Sequence, residues 1–297
     1  MHLGIFANLE KPAAAATLAA IAAEAKALRI PLHAMDAATA AAAPGATRLS
    51  PARFARSIDV LLSLGGDGTL LRALHALKDA PVPILGINLG HLGFLTSVPD
   101  IHAADALRRL AAADYTIHDR PLLSATLVRG TRRKTVLRTE ALNDIVVGWG
   151  TVPRVASLSL DVDGTRVATF SCDGMIIATP TGSTGHALSA GGPILHCDTP
   201  AIVVEAICPH TLSNRPLVLP DSCAVALTLN GTQRTLVLSI DGRNRGSLEP
   251  GDRLEIRKSP RAARFVRLPG QSWFDSLSRK LHWRGSSAIE TQTATAR

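Results

Sequence analysis

The five residues Gly65-Gly66-Asp67-Gly68-Thr69 combine an acid with glycines in a pattern that suits phosphate or hydroxyl chemistry. Consecutive glycines let a backbone approach a ligand closely. Two interpretations fit the spacing, because an ordinary helix cap and an anion cradle use the same free backbone N–H groups. The segment lacks the G-x-G-x-x-G order of a dinucleotide loop and the lysine of a Walker A loop. If it binds a nucleotide, Asp67 is suited to accept a hydroxyl proton or to hold a cation, since a carboxylate repels phosphate.

Three further segments carry polar groups that a strand pattern does not explain. Asn88 begins a second glycine-rich loop, NLGHLGFLT. Asn143-Asp144 interrupts an apolar stretch, either as a turn or bulge or as a hydrogen-bonding pair for a sugar diol. The segment from Thr181 to Ser189 concentrates hydroxyls and glycines after a short strand. It suits phosphate or ribose, although an ordinary Ser/Thr-rich loop has the same composition.

The elements around the first loop are predicted by hydrophobic spacing. A short apolar run from Val60 to Leu64 is typical of a parallel strand buried on both faces, and the leucines from Leu70 to Leu77 recur at helical spacing. An Ala-rich amphipathic helix over 11–28 and short strands over 31–35 and 82–88 continue the alternation of strands and helices. This pattern predicts a three-layer α/β domain with a parallel sheet over residues 1–98.

After Tyr115 the pattern changes to alternating strands with turn dipeptides. Hairpins are predicted at Asp163-Gly164, Asn230-Gly231 and Asp241-Gly242. The predicted fold class is therefore α/β plus mostly β, with a larger β-rich domain over residues 99–270. Residues 271–297 form a C-terminal segment whose last dozen residues are polar and predicted to be disordered.

Composition narrows the class of protein. The net charge is +8, but aromatic residues make up only 3% of the 297, too few for a stacking platform for single-stranded nucleic acid. We therefore predict no nucleic-acid partner. The first residues lack the pattern of a signal peptide, and no charge-free stretch has the composition of a membrane span. The four cysteines have no C-x-x-C spacing and are interpreted as small buried hydrophobes, which favours a reduced, cytoplasmic setting.

Five segments together resemble the NAD kinase family. They are GGDGT at Gly65, NLGHLGFLT at Asn88, ND at Asn143, DG…ATPTGSTG…SAGGP at Asp173 and PHTLSNRPLV at Pro209. The GGDG loop alone is not decisive, because diacylglycerol kinases, sphingosine kinases and 6-phosphofructokinases carry similar loops. The order and extent of all five are specific. The resemblance implies a smaller α/β domain and a larger β domain, NAD bound at the cleft between them, and a homodimer or homotetramer.

The resemblance also implies a phosphotransferase with an alcohol group as acceptor. The terminal phosphoryl group of ATP, or inorganic polyphosphate in some members, moves to the 2′-hydroxyl of the adenosine ribose of NAD and gives NADP. Asp67 matches the proton acceptor, or general base, and the phosphate loop consists of Gly65, Gly66, Gly68 and Thr69. The implied NAD-binding residues are Asp67, Gly68, Arg72, Asn143, Asp144, Arg154, Asp173, Thr184, Gly185, His186, Ala187, Leu188 and Ser189. The chain departs from the family at Gly185-His186, where Ala-Tyr is usual, and at Arg243, where Gln or Asn is common.

The mechanism hypothesis is that Asp67 takes the hydroxyl proton while amides of the glycine loop and Mg²⁺ hold the phosphates. No side chain is assigned as a direct metal ligand. Two alternatives stay open at this point: a kinase for a lipid or another small alcohol with the same loop, and a non-catalytic NAD sensor. The residues do not discriminate ATP from polyphosphate, or NAD from NADH.

Overall fold

The computed structural model describes residues 1–90, 93–96, 98–130, 133–148, 155–211, 213–231 and 235–283. The chain forms two compact units. Unit 1 consists of Met1–His118 and the segment from Arg264 onward, and unit 2 consists of Asp119–Ala263. The domain boundaries at residues 98 and 270 stay a prediction.

Helices and strands alternate along the first third of the chain, and strands dominate the rest. The first elements are β1 (Leu3–Ala7), α1 (Ala14–Ala27), β2 (Leu32–Ala34), α2 (Ala37–Ala42), β3 (Thr47–Arg48), α3 (Pro51–Ser57), β4 (Val60–Gly65), α4 (Asp67–Leu77), β5 (Ile84–Asn88), β6 (Val98–Pro99) and α5 (Ala103–Ala111). Next come β7 (Thr116–Arg129), β8 (Lys134–Ala141), β9 (Asp144–Gly148), β10 (Ala156–Val162), β11 (Thr165–Cys172), β12 (Gly174–Ala178), α6 (His186–Ser189), β13 (Ala201–Ile207), β14 (Leu217–Pro220), β15 (Val225–Leu229), β16 (Leu236–Ile240), β17 (Arg243–Leu248), β18 (Arg253–Arg267) and α7 (Trp273–Lys280).

Unit 1 is built on a parallel sheet with the strand order β5-β4-β1-β2-β3. Every residue of β4 and β5 is buried, as expected of central strands covered on both faces. Gly65 pairs with Asn88 at the carboxyl ends of these two neighbours. The loops that follow β4 and β5 therefore begin at the same edge of the sheet, where open α/β folds place ligands.

Helices cover both faces of this sheet. Helices α1 and α5 pack on one face, where Leu18 and Leu107 share an apolar cluster with Leu62. Helices α3 and α4 pack on the other face, where Phe54 and Leu70 lie against strand glycines. The predicted three-layer α/β arrangement with a parallel sheet is confirmed.

Unit 2 is β-rich, as predicted. One antiparallel sheet contains β11, β10, β15 and β18, with β7 and β8 added beside β18. The second has the order β14-β13-β12-β9-β16-β17. Alternate residues of both sheets form one apolar core, which includes Leu158 and Leu227 from the first sheet and Val147 and Ile177 from the second.

Of the three hairpins predicted from turn dipeptides, the structure contains two. Asp163-Gly164 joins β10 to β11 with φ of +49° and +80°, and Asp241-Gly242 joins β16 to β17 with φ of +48° and +74°, so both hairpins are confirmed. The hairpin at Asn230-Gly231 is wrong. Strand β15 pairs with β10 and β18, whereas β16 pairs with β9 and β17, because the chain passes here from one sheet to the other.

The cysteines are all free, and Cys172 and Cys197 are buried as predicted. Cys208 is exposed and Cys223 partly exposed, so the interpretation of all four as buried hydrophobes is wrong for these two. None of the helices in the described ranges combines the length and the apolarity needed to span a bilayer.

Candidate functional site

The glycine-rich loop after β4 turns directly into helix α4. Gly66 precedes the helix, and Asp67 is its first residue. A Cβ at Gly65 would lie 2.3 Å from Thr69 Oγ1, so this position accepts only glycine. A Cβ at Gly66 or Gly68 would meet no atom within 4 Å in the parts of the chain that the structure describes. The close turn at Gly65 places the Asp67 side chain at the sheet edge, beside the loop that follows β5.

The Asp67 carboxylate is held by the second glycine-rich loop. Its Oδ2 accepts the N–H of Phe94 (2.8 Å), and its Oδ1 accepts the N–H groups of Leu95 (3.1 Å) and Thr96 (3.2 Å). A Cβ at Gly93 would lie 1.8 Å from Oδ1. Asp67 therefore joins two loops that are almost thirty residues apart in the sequence.

This arrangement leaves the Oδ2 atom of Asp67 able to accept a further hydrogen bond. Oδ1 has the two N–H donors and the Thr96 hydroxyl at 3.4 Å, whereas Oδ2 has one donor among the described residues. A carboxylate oxygen has two lone pairs, so Oδ2 can accept one further donor, such as a substrate hydroxyl. The side chain is only partly buried.

Asn88 and Thr96 are structural members of this site that the sequence reasoning did not identify as such. Asn88 Nδ2 donates to Thr96 Oγ1 (3.0 Å), and Asn88 Oδ1 accepts the N–H of Gly90 (2.8 Å). Both side chains are buried. In the sequence, the one sign that Asn88 belongs to the site is that a polar residue ends an otherwise apolar strand.

Arg72 supplies a positive charge one turn into α4. Its side chain is exposed and lies 3.4 Å from Thr69 Oγ1, with no ion-pair partner in the described part of the chain. Since α4 begins at Asp67, the guanidinium and the carboxylate belong to neighbouring turns of one helix. An unpaired arginine is suited to bind phosphate.

In unit 2, Asn143 and Asp144 lie where β8 ends and β9 begins. Asp144 is buried, and burial together with the charge of Asp241 raises the pKa of its carboxyl to about 7, although a hydrogen bond from the backbone N–H of His186 lowers it. The Oδ1 atom of Asn143 is buried and has no hydrogen-bond partner in the described residues. Buried acceptors are normally hydrogen-bonded, so this oxygen is suited to accept a hydrogen bond from a ligand hydroxyl.

The loop from Thr179 to Ser189 packs against this pair. A Cβ at Gly182 would lie 1.9 Å from the carbonyl oxygen of Asn143, so only glycine permits the approach. Two of the hydroxyls predicted to face a ligand are used internally: Ser183 donates to the carbonyl of Pro180 (2.7 Å), and Thr184 donates to that of Thr181 (3.1 Å).

The remaining predicted residues of this loop divide into two groups. Ala187 is fully buried in an apolar cluster with Val146 and Ile176, so its side chain serves packing. Gly185 and Leu188 are partly buried, and His186 and Ser189 are exposed. The loop contains a 3₁₀ turn at Gly182–Thr184, which is followed by the short helix α6.

Asp173 lies apart from this cluster. Strand β12 pairs with β9 so that Ala178 faces Asp144 and Gly174 faces Gly148. Asp173 precedes Gly174 and therefore lies at the opposite end of β12 from the Thr179–Ser189 loop. Arg154 lies outside the described residues, and Arg243 is the half-buried first residue of β17.

A parallel α/β unit with an acid-bearing glycine loop at a strand–helix junction is typical of nucleotide-dependent phosphotransferases. Comparison with protein-family models finds the ATP-NAD kinase N-terminal domain over residues 3–115 and the ATP-NAD kinase C-terminal domain over residues 142–268. The chain therefore belongs to the NAD kinase family, as the motifs indicated.

Curated relatives and solved structures agree with this assignment. An NAD kinase of Gemmatimonas aurantiaca is 41% identical over 230 residues, which cover 77% of this chain and 79% of the relative. One of Symbiobacterium thermophilum is 42% identical over 224 residues, covering 75% and 78%. The crystal structure of yeast NADH kinase complexed with NADH matches with a TM-score of 0.86 at 25% identity, covering 96% of this chain and 89% of that chain. An NAD kinase from Archaeoglobus fulgidus in complex with ATP matches with a TM-score of 0.74 at 25% identity, covering 96% and 100%.

Proposed function

We propose that this chain transfers the terminal phosphoryl group of ATP to the 2′-hydroxyl of the adenosine ribose of NAD and releases NADP. The observation that carries the proposal is Asp67, whose carboxylate is fixed by three backbone N–H groups while Oδ2 can still accept a hydroxyl proton. Phosphoryl transfer demands little covalent chemistry of a protein; it depends on orientation, charge neutralisation and a base for the attacking hydroxyl.

Each of these requirements has a candidate residue. Asp67 takes the proton from the 2′-hydroxyl. Arg72, exposed and without an ion-pair partner among the residues described, offsets phosphate charge. The amide of Asn143 and the carboxyl of Asp144 bind ribose hydroxyls, since both side chains can accept hydrogen bonds. Thr184, Gly185, His186, Leu188 and Ser189, together with Asp173 and Arg154, stay proposed contacts to NAD, whereas the fully buried Ala187 is not retained.

Magnesium is proposed as the divalent ion that accompanies ATP. When bound, it neutralises charge on the phosphates. The donor set at Asp67 does not fit a cation held by protein side chains alone, because Oδ1 is fully engaged and Oδ2 has only one lone pair left, which is at most a single ligand. In the described residues, one group of three clustered ligand side chains occurs, His196, Cys197 and Asp198, and its thiol suits softer metals. We therefore assign the ion to the ATP phosphates.

The donor and acceptor remain proposals in their details. A complex with ATP is known for the Archaeoglobus fulgidus relative, which favours ATP over polyphosphate as the donor. The yeast relative binds NADH, so NADH is a second acceptor to test. A cytoplasmic location, a homodimer or homotetramer, and the absence of a nucleic-acid partner are proposed with the same function.

The rate of NADP formation from NAD, ATP and Mg²⁺ tests the proposal, with Asp67→Asn as the decisive variant. We expect the loss of a general base to lower turnover about 10²- to 10⁴-fold while NAD still binds. Asp59→Asn is the matched control, because Asp59 is an exposed carboxylate just before the amino end of β4, whereas Asp67 follows its carboxyl end. Equal turnover in the two variants would exclude Asp67 as the base.

Two results would favour the alternatives. Phosphorylation of diacylglycerol or sphingosine but not of NAD would identify a lipid kinase. Binding of NAD without NADP from ATP or polyphosphate would identify a sensor.

A further inference from the structure

Asp241 binds the backbone of a segment that lies almost one hundred residues before it. Its Oδ1 accepts the N–H groups of Asn143 (2.7 Å) and Asp144 (3.2 Å), and its Oδ2 accepts that of Leu142 (3.0 Å). The side chain is 8% exposed. Hydrogen bonds to an ionised acceptor are stronger than neutral ones, so these three contacts fix the segment firmly.

The carbonyl groups of the same three residues are also satisfied. Thr179 donates its hydroxyl to Leu142 (2.5 Å) and its N–H to Asn143 (2.9 Å), and the N–H of Asp241 donates to Asp144 (3.0 Å). Every backbone polar group from 142 to 144 therefore has its partner in either Asp241 or Thr179. The Asn143 side chain, by contrast, keeps an acceptor without a donor among the described residues.

We propose that Asp241 is a positioning residue for the acceptor substrate. Its carboxylate fixes the backbone of residues 142–144, and so holds the amide of Asn143 and the carboxyl of Asp144 in the orientation that binds the ribose of NAD. This inference rests on the proposed function of the chain, and it adds a residue known from the sequence only as part of a turn.

Asp241 also acts on the charge of Asp144. Burial raises the pKa of Asp144 most, and the neighbouring charge of Asp241 raises it further, to about 7. Among the described residues, the groups that act on the pKa of Asp144 are the Asp241 carboxylate from the β16–β17 turn and the backbone N–H of His186 from α6. Removing the Asp241 charge should lower the pKa of Asp144, because like charges disfavour ionisation. A merely structural role of Asp241 would not produce this change.

The chain contains a matched control for the turn itself. Asp163 occupies the same left-handed conformation before a glycine, with φ of +49° against +48° at Asp241. Its Oδ1 accepts one N–H, that of Ala224 (2.8 Å), at an exposed site. Asparagine tolerates this conformation as aspartate does. Asp163→Asn therefore makes the same chemical change in the same kind of turn, away from residues 142–144.

The test compares Asp241→Asn and Asp163→Asn with the wild type by NADP formation and by equilibrium titration with NAD. In Asp241→Asn, an amide NH₂ replaces one acceptor oxygen opposite an N–H donor. We expect the KM for NAD to rise about tenfold, because one charge-assisted hydrogen bond is lost. The KM for ATP should stay within about twofold of the wild-type value. The acidic limb of the profile of kcat/KM for NAD against pH should shift to lower pH, because the pKa of Asp144 is lowered. Asp163→Asn should match the wild type in every measurement.

A second variant covers the case in which Asp241→Asn does not fold. Asp241→Glu keeps the charge but moves the carboxylate, so it should raise the KM for NAD and leave the acidic limb in place. Unchanged NAD affinity and an unchanged pH profile in whichever variants fold would overturn the proposal, as would an equal rise of KM for NAD and ATP. A wild type that binds NAD but forms no NADP would refute the proposed kinase function, and the titration would still measure the effect of Asp241.

Discussion

Gly93 lies so close to Asp67 that one added carbon tests the whole loop arrangement. A Cβ at Gly93 would lie 1.8 Å from Asp67 Oδ1 and 2.4 Å from Cγ, whereas real Cβ contacts are essentially never below 3.0 Å. In Gly93→Ala, either the carboxylate or the loop must therefore move by about 1 Å or more. The Asp67 side chain is the group that can rotate, and rotation would break its bonds to Phe94, Leu95 and Thr96.

The magnitude follows from these contacts. A misplacement of about 1 Å at a reacting group can lower the rate about 10²-fold, and we expect a loss of this size in kcat/KM for NAD. Loss of the three hydrogen bonds should lower the free energy of unfolding by about 2 kcal/mol, since water replaces part of each bond in a loop that is only partly buried.

The assay is the initial rate of NADP formation, together with urea unfolding. Gly90→Ala is the control from the same loop, because a Cβ there meets no atom of the described residues within 4 Å. We expect it to retain activity within about twofold, since a surface substitution without new contacts is nearly neutral. If a folded Gly93→Ala protein were as active as Gly90→Ala, the contact between Asp67 and the second loop would not matter for catalysis.

Two further predictions concern buried carboxyls in unit 2. The pKa of Asp144 is raised from 3.8 to about 7, so the neutral carboxyl is favoured in the folded state. Its contribution to the free energy of unfolding is complete below pH 4 and is lost as the pH rises through 7. Relative to the wild type, Asp144→Asn should therefore gain about 2 kcal/mol in the free energy of unfolding between pH 5 and pH 8; a difference independent of pH would contradict this. Asp161 is paired with Arg166 and Arg253, and the hydrogen bonds from these arginines lower the pKa of Asp161 despite desolvation. The contribution of the ionised Asp161 to the free energy of unfolding is therefore present above pH 4 and is lost as the pH falls through the lowered pKa. Asp161→Asn should cost about 2 kcal/mol at pH 7, discounted for the exposed Arg166, and less at pH 3; equal costs at both would argue against the ion pairs.

The sequence predicted those features that depend on neighbouring residues. The apolar run before Gly65 and the helical spacing after it predicted strand β4 and helix α4, because each is stabilised by burial of its own periodic pattern. The dipeptides at Asp163 and Asp241 predicted two hairpins, because Asp-Gly supplies two positive φ angles in succession. At Asn230 the same type of dipeptide failed, since a turn residue does not specify which sheet receives the next strand.

The family and its site residues came from five motifs in order, and comparison with known proteins confirmed the family. The motifs did not reveal that the Asp67 carboxylate binds the loop at Phe94, or that Asp173 and Asp144 are at opposite ends of one strand pair.

What the sequence by itself determined was the set of local elements and the chemical groups they carry. The tertiary structure alone decided which groups meet: Asp67 with residues 94–96, and Asp241 with residues 142–144. The physical reason is that hydrophobic periodicity reports how each segment is buried, whereas contacts across about thirty or one hundred residues depend on the order of strands in a sheet. Local patterns do not encode that order, and it is fixed only when the cores of the two units form.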